Sequence, residues 1–274
     1  MSVISFYSYK GGTGRTTTMA NTAVLLAQKG YNVACVDLDI NAPGLDIVLG
    51  VDKCLPAKFI TDYFKGMQVI VEEMCVEFSE GEYGKTMENA GLKGKLYVFP
   101  TPRVSGVRGF GAVIDGMTDL LKPLFEKIYE RLKVNHILVD ARSGYARESA
   151  VLLPKSDKIF VSTRFTKQHI VGTAGMLKAI KTIQKGLQRD NKKLDYYTVI
   201  NDIPSDLPIL DERILNEFTE DYNAIVIREN KELRWADRIV VLDDMNKKEA
   251  ESLRQHEELL KGYNEIITSI IGSD

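Results

Sequence analysis

This chain predicts a doubly wound α/β fold: a mostly parallel sheet with helices on both faces. Three observations carry that reading. Short apolar, β-branched runs alternate with stretches of helical spacing along most of the 274 residues. A glycine-rich turn, Ser8 to Thr17, stands between the first strand-like run and the first helix-like stretch. Two later strand-like runs end in aspartate, one at Asp37 and Asp39 and one at Asp140. A parallel sheet gathers its functional groups at the carboxyl edge of its strands.

The first strand is Val3-Ile4-Ser5-Phe6-Tyr7, and Met19 to Lys29 reads as the first helix. Between them, Gly11, Gly12 and Gly14 let the backbone curl so that successive N–H groups converge on a phosphate. The helix adds its free N-terminal N–H groups and the positive end of its dipole. Thr16 stands where a phosphate loop places its Mg²⁺ ligand. The strict pattern G-x-x-x-x-G-K-[ST] fails at two positions: Tyr9 replaces the first glycine and Arg15 the lysine. Tyr9 should make the start of the loop bulkier and more exposed.

Tyr31 to Asp39 reads as a second buried strand, entered from Gly30. Asp37 and Asp39 share a face if it stays regular. Residues 51–95 are the least legible. Phe59 to Phe64 suits a short amphipathic helix, and the rest reads as a β-hairpin or a flexible lobe inserted into a single 1–274 domain. Lys95 to Pro100 is a third strand, followed by a basic, mobile loop from Arg103 to Gly111 and a helix from Met117 to Leu132.

His136-Ile137-Leu138-Val139-Asp140 is a buried run delivering one carboxylate to a Mg²⁺ shell. Ala141 to Tyr145 follows as a second switch-like loop, with Gly144 free to pivot. Further strands are Lys158 to Thr163, Tyr196 to Asn201 and Ala224 to Ile227, with a short edge run at Ile239 to Leu242. Helices are expected over Gln168 to Lys185 and Lys247 to Ile271.

Composition narrows the classes. A net charge of −2 gives no global field to recruit nucleic acid or anionic lipid. Cys35, Cys54 and Cys75 are odd in number and lack metal spacing, which suits a reducing cytoplasm. No signal peptide and no membrane-spanning run is expected. The three histidines have no ligand spacing, so zinc is not expected. Lys178, Lys181, Lys185, Arg189, Lys192 and Lys193 form a basic cluster. It reads either as a solvated helix end or as a patch for nonspecific DNA.

Lys10, Gly11, Gly12 and Thr16 match K-G-G-x-x-K-[ST], the deviant Walker A loop. The chain thereby resembles the ParA/MinD family of SIMIBI-class ATPases, and Arg15 brings it closest to a subgroup with K-G-G-x-G-R. Asp37 to Leu45 also matches the family's D-L-D-x-x-A-P-G-L, a loop of switch-I type.

The resemblance implies an ATP-dependent homodimer with Mg²⁺, slow hydrolysis, and a protein activator or cargo. Gly11, Gly12, Thr13, Gly14, Arg15, Thr16 and Thr17 would hold the nucleotide, with Asn201 on the adenine edge. Thr16, Asp37 and Asp140 would serve the metal. Asp39 would orient water, Arg15 would hold phosphate, and Lys10 would reach the partner's phosphates. Where the family usually has a proline after its last strand, Arg228-Glu229-Asn230 stands here. Three classes follow: a switch that positions a cargo, a nucleotide-binding scaffold whose Arg15 suppresses hydrolysis, and a tyrosine kinase. The last needs a tyrosine-rich tail, and the final helix offers only Tyr263.

Overall fold

A computed structural model describes residues 1–83, 92–103, 110–189, 191–204, 207–229 and 250–272. Its strands are β1 (Ser2–Ser8), β2 (Val33–Asp37), β3 (Val76–Glu77), β4 (Leu96–Phe99), β5 (His136–Asp140), β6 (Lys158–Arg164), β7 (Asp195–Ile203) and β8 (Ala224–Arg228). They form one sheet in the order β3-β4-β2-β5-β1-β6-β7-β8. All pairings are parallel except β3 with β4. The helices are α1 (Arg15–Gln28), α2 (Leu45–Val48), α3 (Ile60–Phe64), α4 (Phe110–Leu132), α5 (Arg147–Leu152), α6 (Lys167–Arg189), α7 (Ile209–Tyr222) and α8 (Ala250–Ile271).

β1 lies between β5 and β6, so the loop that follows it leaves from mid-sheet, where the strand order reverses. β2 and β5 run in register with Asp37 beside Asp140. Both strands are buried along their full length, which explains their unbroken apolar runs.

Alternate residues of the strands feed two cores. On one face Ile4 and Phe6 pack with Met19, Ala23 and Val24 of α1 and with Tyr263, Ile266 and Ile267 of α8. Phe6, Phe160 and Tyr197 stack there, with ring centroids 5.2 and 5.3 Å apart. On the other face Val3, Val36 and Val139 pack with Met117, Leu121, Leu124 and Ile128 of α4 and Met176 and Ile180 of α6. Each fully buried side chain of this size contributes about 1.5–3 kcal/mol.

Several elements differ from expectation. β2 stops at Asp37 because its carboxylate accepts from Asp39 N at 2.9 Å, turning the chain out of the strand. Asp37 and Asp39 therefore do not share a strand face. β7 runs past Asn201 to Ile203 through an irregularity at Asp202, whose φ is +64°. Residues 51–83 hold α3, two short 3₁₀ turns and β3, a two-residue strand rather than a full hairpin arm. α4 starts at Phe110, earlier than expected, and α2, α5 and α7 had no expectation. Residues 84–91, most of the loop expected at Arg103 to Gly111, and the Ile239 to Leu242 run lie outside the described residues.

Candidate nucleotide site

The turn after β1 takes its shape from glycine. Gly12 and Gly14 adopt φ of +72° and +79°, a region that L side chains rarely enter. A Cβ at Gly11 or Gly12 would meet nothing within 4 Å, so the loop's inner face is open. Gly14 is also crowded: a Cβ there would lie 3.2 Å from Asn201 Nδ2. α1 begins directly after it with no side-chain cap, leaving its first N–H groups directed into the cleft.

Tyr9 is not the exposed bulge expected. Its ring lies on α6, where a Cβ at Gly172 would come within 2.1 Å of it, and it meets Tyr145 edge-on at 6.3 Å. Tyr7 donates to Gly144 O, and Gly144 N donates to Ser8 O at 2.9 Å. The pivot glycine, φ +79°, is thus pinned to the end of β1.

Arg15 turns inward. Its Nε donates to Asp140 Oδ1 and its Nη2 to Asp39 Oδ2 at 2.9 Å. Thr16 Oγ1 donates to Asp140 Oδ2 at 2.6 Å. Asp37 accepts from Asp39 N at 2.9 Å, Gly44 N at 3.2 Å and Leu45 N at 3.3 Å, so it organises the loop after β2. Burial and then Asp140 raise the Asp37 carboxyl well above its ordinary range, against the pull of those N–H groups. Burial also raises Asp140, with Arg15 and Thr16 opposing it. Burial works against the Arg15 charge, but Asp140 and Asp39 outweigh it and hold the guanidinium above the usual arginine range.

Asn201 supports the loop from the wall of the same cleft. Its Nδ2 donates to Thr13 O at 2.8 Å, and its Oδ1 accepts from Thr18 Oγ1 at 3.1 Å. One donor and one acceptor of the amide expected on adenine are thereby committed to the chain itself. Lys10 is half-buried at the start of the loop, near enough to His169 to lower that imidazole's pKa after burial has done so.

Of these groups Arg15, Thr16, Asp39 and Asn201 line a cleft of about 960 Å³, with Asp37 and Asp140 set behind its wall. Gly11 to Thr18 form one side. Ile47, Val48, Ile227, Leu259 and Tyr263 supply apolar wall, and Asp202, Arg228 and Glu229 stand at the carboxyl ends of β7 and β8. Tyr263 is buried and its hydroxyl meets Thr18, so it is no exposed phosphate acceptor of the kind a tyrosine kinase tail needs.

Sequence reasoning missed Arg142. It pairs with buried Glu148 at 3.1 Å, and Asn41, its amide oriented by the hydrogen-bond network, accepts from the same guanidinium at 2.6 and 2.7 Å. Arg142 therefore joins the loop after β2 to the segment after β5. No local signal marks this, because Glu148 looks like an ordinary surface acid until α5 buries it.

The basic cluster divides. Lys178, Lys181 and Lys185 are exposed on α6, but Lys192 Nζ donates to Pro154 O at 2.7 Å and Lys193 pairs with Asp195 at 3.1 Å. The Arg189 side chain lies outside the described residues.

With this geometry in view, residues 4–241 match the family described as the CobQ/CobB/MinD/ParA nucleotide binding domain. The chain belongs to that family. An uncharacterised ATP-binding protein of Methanocaldococcus jannaschii is 28% identical over 160 residues, 58% of this chain and 51% of that protein. The septum site-determining protein MinD of Helicobacter pylori is 46% identical over 50 residues, 18% of this chain and 19% of that protein. The chain thus spans about half, or less, of the length of the curated relatives it matches.

Among solved structures, MinD of Pyrococcus horikoshii complexed with Mg-ADP aligns with a TM-score of 0.67 at 18% identity, covering 98% of this chain and 97% of that one. An ATP complex of Cyanothece McdA aligns with a TM-score of 0.70 at 14% identity, covering 100% and 97%. At these identities the likeness establishes the P-loop fold that the glycine turn and the parallel sheet predict. Among the described residues no helix is long and apolar enough to cross a membrane.

The residues fit a metal–nucleotide complex. Ser8 Oγ and Thr13 Oγ1 are buried without a hydrogen-bond partner, and both residues line the cleft beside the open glycines. Such orphaned donors suit phosphate oxygens. Thr16 beside Asp140 suits Mg²⁺, which binds through few protein oxygens and keeps several waters.

Proposed function

We propose that this chain is an ATP-dependent molecular switch of ParA/MinD type. ATP binds with Mg²⁺ in the cleft, two copies close face to face over two nucleotides, and slow hydrolysis is set by a protein partner or cargo. The observation that carries this reading is the glycine turn opening onto α1 with Thr16 2.6 Å from the Asp140 carboxylate. Backbone N–H groups of residues 11 to 16 would cradle the phosphates, with Thr17 following in the first turn of α1. Mg²⁺ would supply charge neutralisation to the phosphates, with Thr16 as its ligand and Asp37 and Asp140 behind it. The apolar end of the cleft suits a base.

In this reading Asp39 orients the attacking water, Arg15 holds phosphate oxygens, and Lys10 reaches the partner's nucleotide. Solved structures of similar proteins support it: one MinD structure holds Mg-ADP, one McdA structure holds ATP, and MinD of Aquifex aeolicus was solved with MinC. Calorimetry with ATP and Mg²⁺ tests the binding, and absence of heat in folded protein ends the proposal.

A second reading has its own observation. Because Arg15 is bonded to Asp39, the residue assigned to water, the chain would bind nucleotide and hydrolyse it little or not at all. Phosphate release by purified protein separates the two. Under the switch reading, Asp39→Ala binds ATP, turns it over at least tenfold more slowly and accumulates as dimer.

A further inference from the structure

Beside the glycine turn, Asp37, Asp39 and Asp140 surround the Arg15 guanidinium, and the chain satisfies all six of their carboxylate oxygens itself. Asp140 uses Oδ1 for Arg15 Nε and Oδ2 for Thr16 Oγ1. Asp39 uses Oδ2 for Arg15 Nη2 and Oδ1 for Ala42 N at 3.3 Å. Asp37 uses both oxygens for the N–H groups of Asp39, Gly44 and Leu45. Arg15 is itself buried, 8% exposed, with its planar fork spanning two carboxylates, one in the loop after β2 and one at the end of β5. A lysine at this position is a point charge on one flexible stem, whereas the rigid fork addresses both at once.

We propose that Arg15 is the resident counter-cation of this site. In the ligand-free protein it neutralises Asp39 and Asp140. When nucleotide binds, the guanidinium transfers to phosphate oxygens, which offer the same bidentate geometry as a carboxylate. The carboxylates it leaves then accept the positive charge of the metal. Divalent cation is therefore admitted together with a nucleoside polyphosphate and not alone. The proposal rests on the nucleotide-binding reading for its second half, while its first half concerns the free protein only.

The physical basis is the cost of leaving buried carboxylates unpaired. An acid cluster without a counter-charge recruits any available cation, because desolvation is not otherwise offset. With Arg15 in place that demand is met. With Arg15 gone it is not, and free metal should bind.

Mn²⁺ titration of nucleotide-free protein, followed by loss of the free-ion electron paramagnetic resonance signal, tests this. Arg15→Gln should reach half-saturation at a Mn²⁺ concentration at least tenfold below that of the wild type. Arg15→Lys, which retains charge but engages one carboxylate at a time, should fall between them. ADP added to the wild type should bring its Mn²⁺ uptake to within a few-fold of the Gln variant. Equal Mn²⁺ uptake by wild type and Arg15→Gln without nucleotide overturns the proposal. So does ADP that binds by calorimetry and leaves Mn²⁺ uptake unchanged. If Arg15→Gln is unfolded in chelator, melting with and without Mn²⁺ decides: metal-dependent folding supports the counter-cation role, and metal-independent unfolding refutes it. Since the Mn²⁺ comparison contains no nucleotide, a failure of ATP to bind is read separately.

Discussion

Asn201 Nδ2 donates to the carbonyl of Thr13 at 2.8 Å, so the carboxyl end of β7 grips the phosphate loop at the wall of the cleft. With Thr18 on its Oδ1, the amide ties loop and α1 to the sheet. Asn201→Ala should lower stability by about 1–3 kcal/mol, because Thr13 O and Thr18 Oγ1 lose a buried partner. Denaturant melting measures this. An Asn201 that served only the adenine edge would instead leave stability unchanged and alter the preference for ATP over GTP.

Thr16 links α1 to Asp140 at the position assigned to the metal. Thr16→Ala should retain metal-free nucleotide binding and lose its enhancement by Mg²⁺. Calorimetry with Mg²⁺ and with chelator gives the two affinities, which should converge to within about threefold, less than 1 kcal/mol.

Lys10 starts the loop, and its ammonium has no carboxylate partner among the described residues. Lys10→Ala should bind ADP within about twofold of wild type, a difference near 0.4 kcal/mol, yet fail to dimerise with a slowly hydrolysed ATP analogue. Sedimentation reads the outcome. A dimer that persists in the variant, or a wild type that stays monomeric, removes the cross-subunit role.

Gly262 lets α8 lie on β8, since a Cβ there would sit 2.5 Å from the carbonyl oxygen of Val226. Alanine is the better helix former by about 1 kcal/mol. The backbone clash should outweigh that gain, costing a net 1–3 kcal/mol. Because Leu259 and Tyr263 of the same helix wall the cleft, nucleotide affinity should fall with it. A melting temperature that rises in Gly262→Ala would show that the helix shifts without strain.

His136 opens β5 with Nδ1 bonded to Ser2 Oγ at 2.7 Å and Nε2 buried without a partner. Burial, with nearby positive charges including Lys158, depresses it to about 4. The unfolded chain protonates near 6.5, while the folded protein does not until the pH is far lower. Stability is therefore present above pH 6.5 and is lost as the pH falls toward 4, by on the order of 1–2 kcal/mol once solvent screening is allowed for. His136→Gln should flatten that part of the stability curve, as urea melts across the range would show.

Local chemistry made much of this protein legible in its residues alone. A φ that only glycine adopts freely marks the phosphate loop at Gly12 and Gly14. An unbroken apolar run ending in Asp140 marks a strand buried on both faces with one charge at its carboxyl edge. Those signals need only neighbours in the chain, and they identified the sheet, the loop and the carboxylates. They could not say where a polar side chain finds its partner. Arg15 and Asp140 are 125 positions apart, and Asn201 and Thr13 are 188 apart. Parallel packing brings those pairs together at one sheet edge, and desolvation there forces each donor onto whichever acceptor the fold supplies. The tertiary structure thus turned Arg15 onto carboxylates, Asn201 onto the loop, Tyr9 onto α6 and Tyr263 into the core, because the energy of a buried polar group depends on its surroundings in space.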